Sequence, residues 1–257
     1  MTLSDWLGDS RWDERTARVP ELALPDPSNV SRVVRVVLPD WSLSRSERAQ
    51  WARSWIDWLA SDAAAGLLTS LSVEAGVDQD FLDVIGSLRG LRRLDVETGT
   101  YGDLVPLAGL QRLRAVILDC RRVRSVAPLL ALQDLHSIEL YGAAKVEDLE
   151  RLGELDTLRD LAFSATPSST LQVRPTSFSW MSRLRNLQSL HLAGAVISAD
   201  LTPLAELPKL RHLTIPLRRR YRAQVEEFAA SSVAFADLAQ RYAEEDAHGW
   251  SVAMPPS

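Results

Sequence analysis

Asp160, Ser189 and His212 are the residue types of a hydrolytic triad, and Glu74, Glu97 and Asp119 are carboxylates of the kind that hold a divalent cation. His191 and His212 add two imidazoles that could ligate a metal. Each set is spread along the chain. Steps of 23 and 22 residues separate the three carboxylates, and steps of 29 and 23 separate the acid, the serine and the histidine. Such residues act together only if the backbone returns to the same place at that interval, so their chemistry depends on a structural repeat.

The repeat is a pattern of leucines. The spacing L-x-x-L-x-x-L-x-L begins at Leu88, Leu110, Leu132, Leu155, Leu184 and Leu207, with a weaker copy at Ala65. First positions advance by 23, 22, 22, 23, 29 and 23 residues, the period of stacked units that bury a shared core. Each unit closes on a short alternating segment such as Leu94-Asp95-Val96, which predicts a strand. Val30, Val33, Val36 and Leu38 match the spacing and predict a first strand. Two more apolar columns stand six and three residues ahead of each first leucine, and Pro106, Pro128 and Pro203 suit a tight turn or the first turn of a short helix or 3₁₀ segment. The one long step places about six extra residues in Ser164 to Ser177, a Ser/Thr/Pro-rich loop whose Thr170, Gln172 and Arg174 are candidate contacts.

On these residues the chain resembles leucine-rich-repeat proteins over 65–216, and the D-L-x-P-L-x-x-L spelling of Asp103 to Leu110 and Asp200 to Leu207 is similar to the short internalin-type class. The resemblance implies an α/β fold, a right-handed solenoid with a parallel concave β-sheet of about eight strands. It fails where family repeats usually carry Asn or Cys. Gly76, Gly99, Arg121, Ala143, Thr166 and Ala195 stand there instead, so the turns leaving the strands must satisfy their backbone groups in another way.

Three stretches organise the chain: 1–64 as arm, first strand and capping helix, 65–216 as solenoid, and 217–257 as second cap and tail. Ser44 and Glu47 form a capping box ahead of a helix whose Trp51, Trp55, Ile56, Trp58 and Leu59 share one stripe, which reads as core packing and not as a ligand platform. Tyr221, Val225, Phe228, Phe235, Leu238 and Tyr242 form the second stripe, broken near Ser231-Ser232 and ended before Gly249. Residues 1–30 show no sustained period beyond a helical turn or two near Leu3 to Leu7.

With Leu94 and Val96 in the core, alternation puts Arg93, Asp95 and Glu97 on the concave face. The same register aligns Glu74, Glu97, Asp119 and Tyr141 in one lateral row, with Asp95 and Glu139 beside it. A basic row of Arg92, Arg114, His136, Arg159 and Arg211 precedes the strands. Asp160, Ser189 and His212 also share a row, but the serine is in the middle, which leaves the acid about 9 to 10 Å from the base, and no G-x-S-x-G elbow accompanies them. No calcium-loop spelling goes with the acids, no third ligand with the histidines, and no phosphate-binding glycine motif occurs. The expectation is therefore no enzyme, no metal and no cofactor. The candidate site is a binding face of Glu74, Arg93, Asp95, Glu97, Asp119, Glu139, Tyr141, His191 and His212.

Whole-chain properties fit that expectation. The 257 residues carry 29 basic side chains, 27 of them Arg, against 34 acids, and the net charge of −5 disfavours general nucleic-acid affinity. Residues 89–124 hold eight arginines against four acids, which keeps RNA binding as the alternative. Cys120 stands alone, so no internal disulfide and no two-cysteine metal site can form. No apolar run is long enough for a bilayer and the first 18 residues have no apolar signal core, so a cytoplasmic, monomeric protein is expected. Its partner is expected to be a protein of basic character, gripped by the concave face and the 164–177 loop. Adaptor, dedicated inhibitor and immunity-type protein are the roles that such a surface suits.

Overall fold

The computed structural model describes residues 21–22, 33–37, 42–74, 76–164, 177–192 and 200–248. Among them nine strands form one parallel sheet in sequence order. They are β1 (Glu21–Leu22), β2 (Val33–Val36), β3 (Ser70–Val73), β4 (Arg93–Val96) and β5 (Ala115–Asp119). The series continues with β6 (Ser137–Tyr141), β7 (Asp160–Ser164), β8 (Ser189–His191) and β9 (His212–Thr214). Eight of them are the strands that the leucine period predicts. The ninth, β1, lies in the arm, and at two residues it is too short to leave a period in the sequence.

Register follows the leucines. Leu71, Leu94, Val116, Ile138, Leu161, Leu190 and Leu213 are successive Cα partners, and all are buried. Burying such a column stabilises each unit by about 1.5 to 3 kcal/mol per side chain before the cost of ordering the chain. Ahead of each strand the L-x-x-L turn closes on its own backbone: Leu91 N–H donates to Leu88 O at 3.0 Å, Leu113 to Leu110 at 2.8 Å and Leu187 to Leu184 at 3.0 Å.

The convex side is thin. Val105–Gly109, Ala127–Ala131, Leu149–Glu154 and Ser179–Arg183 are 3₁₀ segments, with Pro106 and Pro128 in the first turns of the first two. In three of these segments a side-chain oxygen two residues back accepts the first N–H, and the same turn opens the later helix at Thr202. Asp103 takes Val105 N–H at 2.8 Å, Ser125 takes Ala127 at 3.1 Å, Ser177 takes Ser179 at 3.0 Å and Asp200 takes Thr202 at 2.9 Å. This short Asx or Ser turn explains the aspartate in D-L-x-P-L.

One long helix precedes the regular repeats and two long helices follow them. α1 (Arg45–Leu59) begins on the expected capping box, buries Trp51, Trp55 and Leu59, and stacks Trp55 edge-on against Trp58 at 5.6 Å. It packs on α2 (Asp62–Leu67) and α3 (Gln79–Ile85) on the convex side, while the sheet runs two strands further through β2 and β1. After the short α4 (Thr202–Ala205), helices α5 (Arg219–Phe228) and α6 (Val233–His248) make the second cap. The chain breaks between them near Ser231-Ser232, Phe228 meets Phe235 edge-on at 5.3 Å, and α6 lies against β9. Tyr242 hydroxyl locks the cap by bonding both the N–H and the carbonyl of Arg218 at 2.9 Å. Among the described residues no helix is long and apolar enough to cross a membrane. Leu3 to Leu7, Val30, Leu38, Thr170, Gln172, Arg174 and the tail from Trp250 lie outside the described residues.

Candidate binding face on the concave sheet

Strand pairing assembles the face as the alternation predicts. Asp95, Ile117 and Glu139 are lateral partners on β4, β5 and β6, and Asp119 pairs with Tyr141, which pairs with Ser164. Glu74 follows β3, where its N–H continues the ladder to Val36 O at 2.9 Å. Arg93 stands one position ahead of this group, at the start of β4.

Solvent access varies widely along this face. Asp95 is 7% exposed, Asp119 1%, Glu139 0% and His191 1%, whereas Glu97 and His212 are exposed. Neighbouring strands about 4.8 Å apart bring side chains on the inner side of a curved sheet together, and the buried Ile117, Tyr141 and Ala162 stand between these polar groups.

Burial separates the acids into two kinds. Asp119 is fully occupied: its carboxylate accepts Gly99 N–H at 3.0 Å from the preceding unit and Arg121 N–H at 3.1 Å. Arg121 closes over it with Nη2 at 2.6 Å and Nε at 2.9 Å from both oxygens. That set answers the missing asparagine ladder, because one carboxylate satisfies the turn N–H groups of two units. The spacing Asp-Cys-Arg was its only signal in the sequence. Cys120 between them is buried, and burial with Asp119 beside it pushes the thiol up, so it is an inert core residue.

Asp95 is held differently. Its partner Arg93 stands at 3.8 Å, and its Oδ1 has no hydrogen-bond partner. Burial, then the negative charge of Glu97, with smaller contributions from Glu139 and Glu74, pushes the carboxyl up to about 7 against the pull of Arg93. Arg93 in turn is lowered to about 10 by burial, against the pull of Asp95. Glu139 accepts a hydrogen bond from Ser164 Oγ at 2.8 Å and one from Tyr141, whose phenol is pushed up by burial and by Glu139. Glu74 is paired with Arg35 of β2, a contact the repeat pattern did not indicate.

The second half of the face holds the acid, serine and histidine in the order the repeat gives them. Asp160, Ser189 and His212 are successive lateral partners, so the serine does lie between acid and base, and Ser189 Oγ has no hydrogen-bond partner. His191 has none on either ring nitrogen, and burial, with the positive Arg241 of α6 adding to it, lowers it to about 4. It is a neutral imidazole at physiological pH. Among the described residues no three His, Cys, Asp or Glu side chains converge to hold a metal ion.

Repeat, register and parallel topology together define a leucine-rich-repeat solenoid. No family model matches the chain, and no curated protein does. Solved structures with a similar trace include internalin C2 from Listeria monocytogenes, at 21% identity and a TM-score of 0.42, covering 75% of this chain and 88% of that one. A leucine-rich-repeat protein from Leptospira interrogans matches at 18% identity and a TM-score of 0.38, covering 61% of this chain and 45% of that one. The ectodomain of a plant receptor kinase from Arabidopsis thaliana, solved in complex with Casparian strip integrity factor 2, matches at 21% identity and a TM-score of 0.42, covering 60% of this chain and 19% of that one.

Proposed function

We propose that this chain is a non-enzymatic protein-interaction module whose acidic first half, centred on Glu97, receives a basic segment of a partner protein. The observation that carries the reading is the gathering of Glu74, Asp95, Glu97 and Glu139 along β3 to β6, where burial first, and then the negative charges of Glu97, Glu139 and Glu74, push Asp95 up to about 7. A docked Lys or Arg adds to the positive charge that Arg35 and Arg93 bring to this cluster, and the sheet holds the cluster in place before the partner arrives. Asp119 belongs to the scaffold and leaves the contact set. Arg93 and Tyr141 frame the site, the exposed His212 lies at its far end, and the loop residues Thr170, Gln172 and Arg174 remain candidate contacts. Adaptor and dedicated inhibitor are the roles a preorganised surface without a reaction centre serves.

RNA binding through 89–124 is disfavoured because its arginines are partly engaged: Arg89 donates to Gly109 O, Arg121 to Asp119, and Arg124 to Glu147 at 3.2 Å. Affinity capture from native extract, with wild type and Glu97→Lys in parallel, tests the proposal. A basic protein retained by wild type, released by salt and missing from the variant supports it. Equal retention by both proteins sinks it.

A further inference from the structure

The edge where the chain enters the strands carries a second charged row. Arg92, Arg114, His136, Arg159, Gln188 and Arg211 are joined by a backbone ladder, each N–H donating to the preceding carbonyl at 2.7 to 2.9 Å. Arg92, Arg114, Arg159 and Arg211 are exposed, and none of their side chains makes a hydrogen bond or ion pair among the described residues. Arg112 and Lys209 lie two residues ahead of this row, and the exposed Asp134 and Asp156 are the acids nearby. Beyond Arg211 the row opens into a cleft of about 510 Å³ between the last unit and the α5–α6 turn, lined by Lys209, Arg211, Gln188, Ser231 and Ser232, with Glu206 as its acid.

We propose that this leading edge is a docking surface for the acidic face of a partner helix. Spacing favours a helix. Five strand steps from Arg92 to Arg211 cover about 24 Å at about 4.8 Å each. One face of an α-helix repeats every turn, about 5.4 Å, so a helix of about 16 residues spans the row with its carboxylates nearly in step. An extended segment repeats one face only every ~6.7 Å and falls out of step within three strands. Nucleic acid fits less well. No Phe, Tyr or Trp stands in the row or lines the cleft to stack a base, and Asp134 and Asp156 interrupt a continuous phosphate track while discrete carboxylates can pass them. This surface is separate from the concave acids and does not rest on the function proposed for them.

Fluorescence anisotropy tests the assignment with three probes: a helix-forming Ala peptide of about 16 residues with Glu along one face, its scrambled isomer, and a U-rich RNA. The patterned peptide should bind at low salt, release at high salt, and bind the folded Arg114→Glu/Arg159→Glu variant about tenfold more weakly. If that variant does not fold, Arg92→Gln/Arg211→Gln should still weaken binding severalfold. No binding of the patterned peptide, equal binding of the scrambled isomer, tighter binding of the RNA, or undiminished binding by the variants overturns the assignment.

Discussion

The two edges of the sheet treat their charges in opposite ways. Where the chain enters the strands, the L-x-x-L turn satisfies its own backbone, Leu91 to Leu88 and Leu113 to Leu110, so Arg92 and Arg114 have no structural duty. Where the chain leaves them, the sequence lacks the asparagine that would serve the turns. Gly99 and Arg121 N–H groups turn to Asp119, and Glu74 is tied to Arg35. A charge on a solenoid is available for binding where the turn closes on itself, and is committed where the turn needs an acceptor. Glu97 is exposed on the trailing side beside these committed neighbours.

Breaking the committed edge should have the largest effect. Asp119→Ala leaves the buried Gly99 N–H without its acceptor and frees Arg121, and should lower stability by about 3 kcal/mol in urea unfolding. Asp119→Asn, which keeps one carbonyl acceptor, should recover part of the loss. Equal stability of Asp119→Ala and wild type would show that the edge is not held this way.

Asp95→Asn should act with pH. Its folded-state value of about 7 lies above the unfolded value of 3.8, so from about pH 4 to pH 7 the folded protein keeps a proton that the unfolded chain has released. Wild-type stability therefore falls as pH rises through that window. The Asn variant lacks this slope and should be the more stable protein at pH 8, by an amount on the order of a few kcal/mol, with no advantage at pH 4. Parallel stability–pH curves for the two proteins would contradict the burial argument.

The strand register was legible in the sequence because the period of two and the leucine interval together fix which residues become lateral partners. Asp95 with Glu139 and Asp119 with Tyr141 stand as that arithmetic places them. Solvent access was not legible. Alternation assigns a side chain to a face but does not say how far its neighbours close over it, so the burial of Asp95, Glu139 and His191 has no signal in the sequence. The duty of Asp119 was also hidden, because its partner Gly99 is twenty residues away and marked only by a family position that this chain leaves empty. The extra strand β1 is too short to carry a pattern at all.

The most direct test of the proposed function compares dissociation constants of wild type and Glu97→Lys for the captured partner, with the thermal midpoint read on the same samples. Weakening by about tenfold or more, with a stability change below about 0.5 kcal/mol, is the predicted result. Unchanged affinity accompanied by a collapsed midpoint would show that the concave acids hold the scaffold together and do not bind the partner.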